Sequence, residues 1–172
     1  MADLRSAPLP ELAADDHVRG AADAPLVIEY GDLECPHCAA LALQARALVA
    51  DGAVRWAYRH FPLRSTHPRA WQAACASEAA ALQGAFWEMH DALLGDQGRL
   101  EDPHLWQHAE TLGLDLQRFE ADRRGEAVQE RVARDFNAGV RAGVVTAPTV
   151  FWEGRAVHGE GLRAVLAKLR RH

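Results

Sequence analysis

Two cysteines, Cys35 and Cys38, are separated by two residues, a spacing that suits redox or metal chemistry. Disulfide exchange needs one thiol that ionises near neutral pH and a second thiol that closes a small ring onto it. A helix is predicted to begin between them, so the N–H groups of its first turn favour a thiolate on Cys35, while Cys38 lies one turn inside. We therefore predict Cys35 as the attacking sulfur, exposed to its substrate, and Cys38 as the resolving sulfur.

The two residues between the sulfurs set the balance between dithiol and disulfide. Pro36 fixes the start of the helix, where its missing N–H has no partner to lose. The imidazole of His37 stabilises a thiolate on Cys35 when it donates a hydrogen bond or carries a charge. Since a stabilised thiolate favours the reduced form, the sequence predicts an oxidising pair.

The same two cysteines could instead be half of a zinc site. Zinc takes two further ligands at matching spacing. Cys75 supplies no second Cys-x-x-Cys, although distant His60 and His158 stay open as ligands. We favour redox chemistry and predict no metal.

The elements around the pair follow from hydrophobic patterning. Residues 26–30 form a short β-branched run that ends at Gly31-Asp32, which predicts a buried strand leading directly to the cysteines. Apolar residues recur at helical spacing from Pro36 onward, and residues 54–61 alternate apolar and polar. Two strands joined by a helical crossover are parallel, so these segments predict a β-α-β unit.

The remaining chain divides into a long helical stretch and a return to β structure. Residues 67–143 are rich in helix formers at helical spacing, and strand character returns at 148–152 before a last helix. This order predicts an α/β thioredoxin fold with an all-helical insertion. The predicted organisation is a flexible N-terminus at 1–14, a thioredoxin-fold domain at 15–66 and 144–172, and the helical insertion at 67–143.

Composition excludes several classes of function. With 172 residues and 49% hydrophobic content, the chain can bury one core without metals or structural disulfides. The net charge is −5 and the basic residues are scattered, so the sequence predicts no basic surface that would bind nucleic acid. The first twenty-five residues hold no apolar run long enough for a signal peptide or a membrane span. We therefore predict a cytoplasmic chain without membrane insertion, or a periplasmic or exported one had a leader been removed.

Four segments of the chain carry a family likeness: DHVRGAADAPLVIEYGDLECPHC, YRHFPL, AFWEMHDALLGDQGRL and TAPTVFWEG. They resemble the DsbA-like thioredoxin-fold family, in particular its compact bacterial branch. The Cys-Pro-His-Cys tetrapeptide is the specific part of the resemblance, which extends from about Asp16 to the C-terminal helix. The resemblance implies a DsbA-like fold with a catalytic disulfide.

The resemblance gives a role to Pro148 and to the residue before it. Pro148 matches the family's cis-proline, which lies against the cysteine pair; the residues alone equally allow a strand-edge proline. Ala147 would present its backbone to a bound substrate peptide. This position differs from the threonine or valine expected in the family, so a hydroxyl or branched side chain is missing near Cys35.

Glu29 gains a role in the same way, because it lies six residues before the first cysteine, where the family carries a buried acid. A buried carboxyl there would have a raised pKa and could exchange a proton with Cys38. The alternative is an edge-strand glutamate paired with an arginine. Asp32 and Glu34 are interpreted as solvated loop acids, and Cys75, on an apolar helical stripe, as a structural core thiol.

These residues predict a thiol–disulfide oxidoreductase that acts on thiol-containing proteins or peptides and exchanges electrons with an unidentified redox partner. No bound cofactor is expected, since the Cys35–Cys38 disulfide carries the electrons, although glutathione remains possible as a cosubstrate. One alternative is a glutathione-dependent isomerase or transferase of the same fold, which would not need Cys38. Another is a non-enzymatic thiol sensor or chaperone, which would need neither cysteine. We expect a monomer.

Overall fold

A mixed five-stranded sheet forms the centre of the computed structural model, which describes residues 9–170. Its strands are β1 (His17–Arg19), β2 (Leu26–Gly31), β3 (Arg55–His60), β4 (Thr149–Trp152) and β5 (Arg155–Val157). Their spatial order is β1-β3-β2-β4-β5. Residues 1–8 of the segment predicted to be flexible lie outside the described residues, and farther along it the carbonyl of Glu11 accepts a hydrogen bond from Arg59.

Helices surround the sheet and fill the long connection between β3 and β4. α1 (Pro36–Ala50) joins β2 to β3, and α7 (Glu160–Leu169) follows β5. Between β3 and β4 lie α2 (Ala70–Ala81), α3 (Phe86–Gly95), α4 (His104–Thr111), α5 (Leu116–Arg124) and α6 (Glu126–Arg141). The predicted α/β thioredoxin-like fold is confirmed.

Strand β2 is central, and it leads directly to the cysteine pair. It runs parallel to β3, as the crossover through α1 requires, and antiparallel to β4. Strand β1 was not predicted, because three residues are too few to show an alternating pattern. It forms by antiparallel pairing to β3, with His17 opposite Tyr58.

Two apolar layers hold helices on opposite faces of the sheet. Val27 and Trp56 face a cluster built with α1 and α7, whereas Ile28 packs with Phe61 on the face covered by α6. Successive strand residues point to opposite faces, so β2, which is buried on both faces, is apolar on both except at Glu29. This packing fixes β2, and with it the start of α1.

Candidate active site

Cys35 and Cys38 lie where β2 passes into α1. Cys35 immediately precedes the helix with an extended backbone (φ −78°, ψ 123°), and Pro36 begins the first turn. The carbonyl of Cys35 accepts hydrogen bonds from the N–H groups of Cys38 and Ala39, at 3.1 and 3.2 Å. Both cysteines are free thiols. The sulfur of Cys35 therefore lies beside the unpaired N–H groups of a helix N-terminus.

Cys35 is less accessible than the sequence predicts. Only 4% of the residue is exposed, and its sulfur, when protonated, donates a hydrogen bond to the carbonyl oxygen of Ala147 at 3.5 Å. The Ala147–Pro148 peptide bond is cis, and both of these residues are buried. The prediction of an exposed attacking sulfur is wrong, because the turn before β4 covers it.

The electrostatic surroundings lower the pKa of Cys35 to about 6. The largest cause is the hydrogen bond from the Cys38 thiol; burial acts against it, and the N–H groups of Cys38 and His37 add to the lowering. The contribution of His37 to this pKa comes from its backbone. Its side chain and Pro36 are exposed, so the predicted contribution of the imidazole stays a prediction. With a pKa of about 6, Cys35 is mostly a thiolate at pH 7.

Cys38 has the opposite environment. It is fully buried, and its sulfur accepts a hydrogen bond from the backbone N–H of Asp32 at 3.3 Å. Burial raises the pKa of Cys38 well above its ordinary value, and the hydrogen bond it donates to Cys35 raises it further. The two sulfurs are thus unequal, one a ready nucleophile and the other a shielded thiol.

Glu29 lies in the central strand, not at a sheet edge, and is 2% exposed. The indole N–H of Trp56 donates to its Oε2 at 2.8 Å, whereas Oε1 has no hydrogen-bond partner. Burial raises the pKa of Glu29 to about 7, and its charge in turn opposes ionisation of Cys38. A carboxyl that titrates near neutral pH can both give and accept a proton there. Proton exchange with Cys38 stays a prediction.

Asp32 and Glu34 are not the solvated acids that the sequence suggested. Asp32 is 1% exposed, and its carboxylate accepts hydrogen bonds from the N–H groups of Leu63 and Glu34, both at 2.8 Å, and from Nδ1 of His67 at 2.9 Å. Glu34 pairs with the side chain of Arg69 at 2.8 Å. The loop between β3 and α2 folds across the start of α1 and supplies Leu63, His67 and Arg69.

Gln97 ties the helical insertion to the segment between β2 and α1. Its Nε2 donates to the carbonyls of Leu33 and Cys35, at 3.0 and 2.9 Å. Sequence reasoning missed Gln97 and His67, which lie 62 and 35 residues from their partners. The available signal was the position of Asp32, directly after a buried strand.

One group of side chains in residues 9–170 has the donor atoms for a metal ion. His60, Glu78 and Asp135 are buried and bring three such atoms within 4.8 Å of one another. Arg131 lies 3.8 Å from Glu78 and 3.6 Å from Asp135, and His17 bonds to Glu78 at 2.7 Å. Arg131 and the hydrogen bond with His17 already engage the carboxylates, so we interpret the group as a buried network of ion pairs and hydrogen bonds. It does not include the cysteine pair.

Cys75 lies apart from the site, packed with Val128 and Val132 between α2 and α6. Burial is the main cause that raises its pKa to about 12. A buried thiol that stays protonated is unreactive, as expected for a structural cysteine.

A central strand that leads to a Cys-x-x-Cys pair at a helix N-terminus, with a cis-proline beside it, defines the thioredoxin class of proteins. A protein-family model described as Thioredoxin matches residues 13–168. The chain belongs to this thioredoxin family.

Two solved structures resemble this chain over most of its length. The thiol-disulfide exchange protein alpha-DsbA2 from Wolbachia pipientis superposes with a TM-score of 0.79 at 18% identity, over 92% of this chain and 87% of that one. A thioredoxin-like oxidoreductase from Silicibacter pomeroyi DSS-3 has the same TM-score of 0.79 at 26% identity, over 93% and 95%. Both structures share the fold of this chain, as the resemblance to the DsbA-like family implies.

The curated relatives are much longer than this chain. The Na(+)/H(+) antiporter NhaA 3 of Salinispora tropica is 49% identical over an alignment of 149 positions that covers 84% of this chain and 22% of that protein. This chain thus spans about a fifth of the length of the curated relatives it matches. The prediction of a cytoplasmic protein is wrong, because its relatives are named as antiporters, which act across a membrane. Within residues 9–170, every helix is too short or too polar to cross a bilayer.

Proposed function

We propose that this chain is a thiol–disulfide oxidoreductase that works through Cys35 and Cys38. The proposal rests on the different pKa values and different burial of the two sulfurs. Cys35, at the start of α1, has a pKa of about 6, and Cys38, one turn inside, is fully buried with a raised pKa. Thiol exchange requires such a pair, one sulfur that attacks or is attacked and one that closes the ring. The DsbA-like structural neighbours support this assignment.

The proposed reaction begins with a Cys35–Cys38 disulfide. A substrate thiolate attacks the sulfur of Cys35, the bond to Cys38 breaks, and its electron pair leaves on Cys38, which then takes up a proton. A second substrate thiolate attacks the substrate sulfur of this mixed disulfide and releases Cys35 as a thiolate. The substrate has lost two electrons and gained a disulfide, and the enzyme dithiol has gained those electrons.

We propose oxidation of substrates as the favoured direction. A stabilised thiolate on Cys35 favours the reduced enzyme, which makes the disulfide form a better oxidant. A redox partner must then remove two electrons from the dithiol. The two sulfurs carry both electrons, so the exchange requires no bound cofactor, and glutathione takes part only as a small thiol or disulfide.

The proposed substrates are proteins or peptides with accessible thiols. The buried carbonyl of Ala147, 3.5 Å from the sulfur of Cys35, and the neighbouring Pro148 line the approach to that sulfur. We assign thiol exchange to this chain. We do not assign it the ion transport for which its longer relatives are named.

A trapping experiment tests the division of roles. The reduced protein is mixed with a peptide whose single cysteine is in a disulfide with thionitrobenzoate, a dye that is coloured once it is released. Cys38→Ser should release the dye and keep the peptide attached to Cys35, whereas the unaltered protein should release the peptide as its own disulfide closes. Cys35→Ser is the matched control and should release little dye. Full catalytic turnover by Cys38→Ser would contradict the proposal and favour the glutathione-dependent alternative.

A further inference from the structure

Every polar group of Asp32 is engaged around the redox pair. Its N–H donates to the sulfur of Cys38 at 3.3 Å, and its carbonyl accepts the N–H of Cys35 at 3.1 Å. Its carboxylate accepts three hydrogen bonds, from the N–H groups of Leu63 and Glu34 and from the ring of His67. Few conformations of this residue satisfy all five contacts, so its backbone is held in place.

The sulfur of Cys38 needs a donor at one particular moment of the reaction. When the Cys35–Cys38 disulfide opens, the departing electron pair makes Cys38 a thiolate in a fully buried place. A buried charge without a hydrogen bond is strongly disfavoured, and a donor already aimed at the developing charge lowers the barrier. The N–H of Asp32 points at that sulfur.

From this geometry we infer that Asp32 is a positioning residue, whose carboxylate holds its own N–H on the sulfur of Cys38 and thereby stabilises the leaving thiolate. The inference rests on the proposed dithiol chemistry. An incoming thiolate forms a bond to Cys35, the bond between the cysteines breaks, and the negative charge passes to Cys38, where the N–H of Asp32 receives it.

A carboxylate suits this task better than an amide. Both of its oxygens accept only, and they meet three donors, one on Oδ1 and two on Oδ2. In Asp32→Asn the amide group would place N–H donors against Leu63 and His67. The hydrogen bonds that hold the Asp32 side chain would weaken with almost no change in side-chain size.

The test compares two reactions of the same protein. The first is the opening of the Cys35–Cys38 disulfide by dithiothreitol, and the second is alkylation of reduced Cys35 by iodoacetamide at pH 8. Asp32→Asn should slow opening about tenfold and leave alkylation within about twofold, because only opening places charge on Cys38. Asp135→Asn, a buried acid that also accepts a backbone N–H, is the matched control and should leave both rates unchanged.

Opening at the unaltered rate in Asp32→Asn, or an equal change in both rates, would overturn the inference. If that variant fails to fold, His67→Leu, which removes one of the three donors, should slow opening about threefold, and His67→Gln should recover part of the loss. An unaltered rate in His67→Leu would then overturn it. If the unaltered protein forms no Cys35–Cys38 disulfide, the proposed function fails as well; if that disulfide opens normally in every variant, only this inference fails.

Discussion

The reactivity of the site depends on a few contacts of individual residues. The thiol of Cys38 donates to Cys35, the N–H of Asp32 donates to Cys38, and buried Glu29 opposes ionisation of Cys38. The first contact favours charge on Cys35, the second stabilises charge on Cys38, and the third opposes charge on Cys38. Substitutions that remove one contact should therefore shift one property of the pair.

Removing the thiol of Cys38, which donates a hydrogen bond to Cys35, should raise the pKa of Cys35. In the unaltered protein, the rate of alkylation by iodoacetamide should rise with pH with a midpoint near 6. In Cys38→Ala the midpoint should move up toward the ordinary thiol value, because the largest stabilising hydrogen bond is lost. Cys38→Ser keeps a hydroxyl donor and should lie between the two. An unchanged midpoint in Cys38→Ala would contradict the account.

Replacing Glu29 should stabilise the protein at alkaline pH while slowing its chemistry. The pKa of Glu29 is about 7 in the fold against 4.5 for an ordinary glutamate, so the folded state holds the proton more tightly. Stability should therefore fall as pH rises from about 4.5 to about 7 and then level off. The side chain of Gln in Glu29→Gln cannot ionise. The free energy of unfolding of this variant should therefore be about 1–3 kcal/mol higher than that of the unaltered protein at pH 8 and little changed at pH 4.

The same variant separates stability from function. Denaturant titrations at pH 4 and pH 8 measure the first effect, and the rate of disulfide opening measures the second. Glu29→Gln should open its disulfide more slowly near pH 7, because no carboxyl can supply a proton to Cys38. A variant that opens its disulfide at the unaltered rate would remove Glu29 from the mechanism.

At the scale of the elements, the sequence predicted the β2–α1–β3 unit because the spacing of apolar residues within each segment is typical of a strand or of a helix. The β-branched run gave β2 (Leu26–Gly31), and Pro36 gave the start of α1. Strand β1 (His17–Arg19) could not be predicted in this way, because its pairing to β3 depends on residues about forty positions away. The burial of Asp32 escaped prediction for the same reason.

Close packing of α6 on the sheet gives a test at this scale. A Cβ on Gly139 would lie 2.7 Å from the ring of Phe61 and 2.9 Å from that of Tyr30. Gly139→Ala should therefore destabilise the fold by about 1–3 kcal/mol, measured by denaturant unfolding. Gly95→Ala, in α3, is the matched control, since nothing lies within 4 Å of its Cβ. Equal stability of the two variants would contradict this packing.

At the scale of the whole molecule, the site gathers residues from three distant parts of the chain. The loop after β3 supplies His67, the insertion supplies Gln97, and the turn before β4 supplies Ala147. The sequence predicted the cysteine pair because its motif is local, and it predicted Ala147 and Pro148 through family resemblance. It could not predict the burial of Cys35, which follows from a contact 112 residues away.

The equilibrium of the cysteine pair with glutathione buffers tests the central claim most directly. Thioredoxin and DsbA combine potentials of about −270 and −120 mV with cysteine pKa values of about 7 and 3.5. The pKa of about 6 for Cys35 lies below the thioredoxin value, so we predict a potential above about −270 mV. A midpoint at or below about −270 mV would contradict an oxidising pair, and failure to form a Cys35–Cys38 disulfide in any buffer would contradict the redox assignment itself.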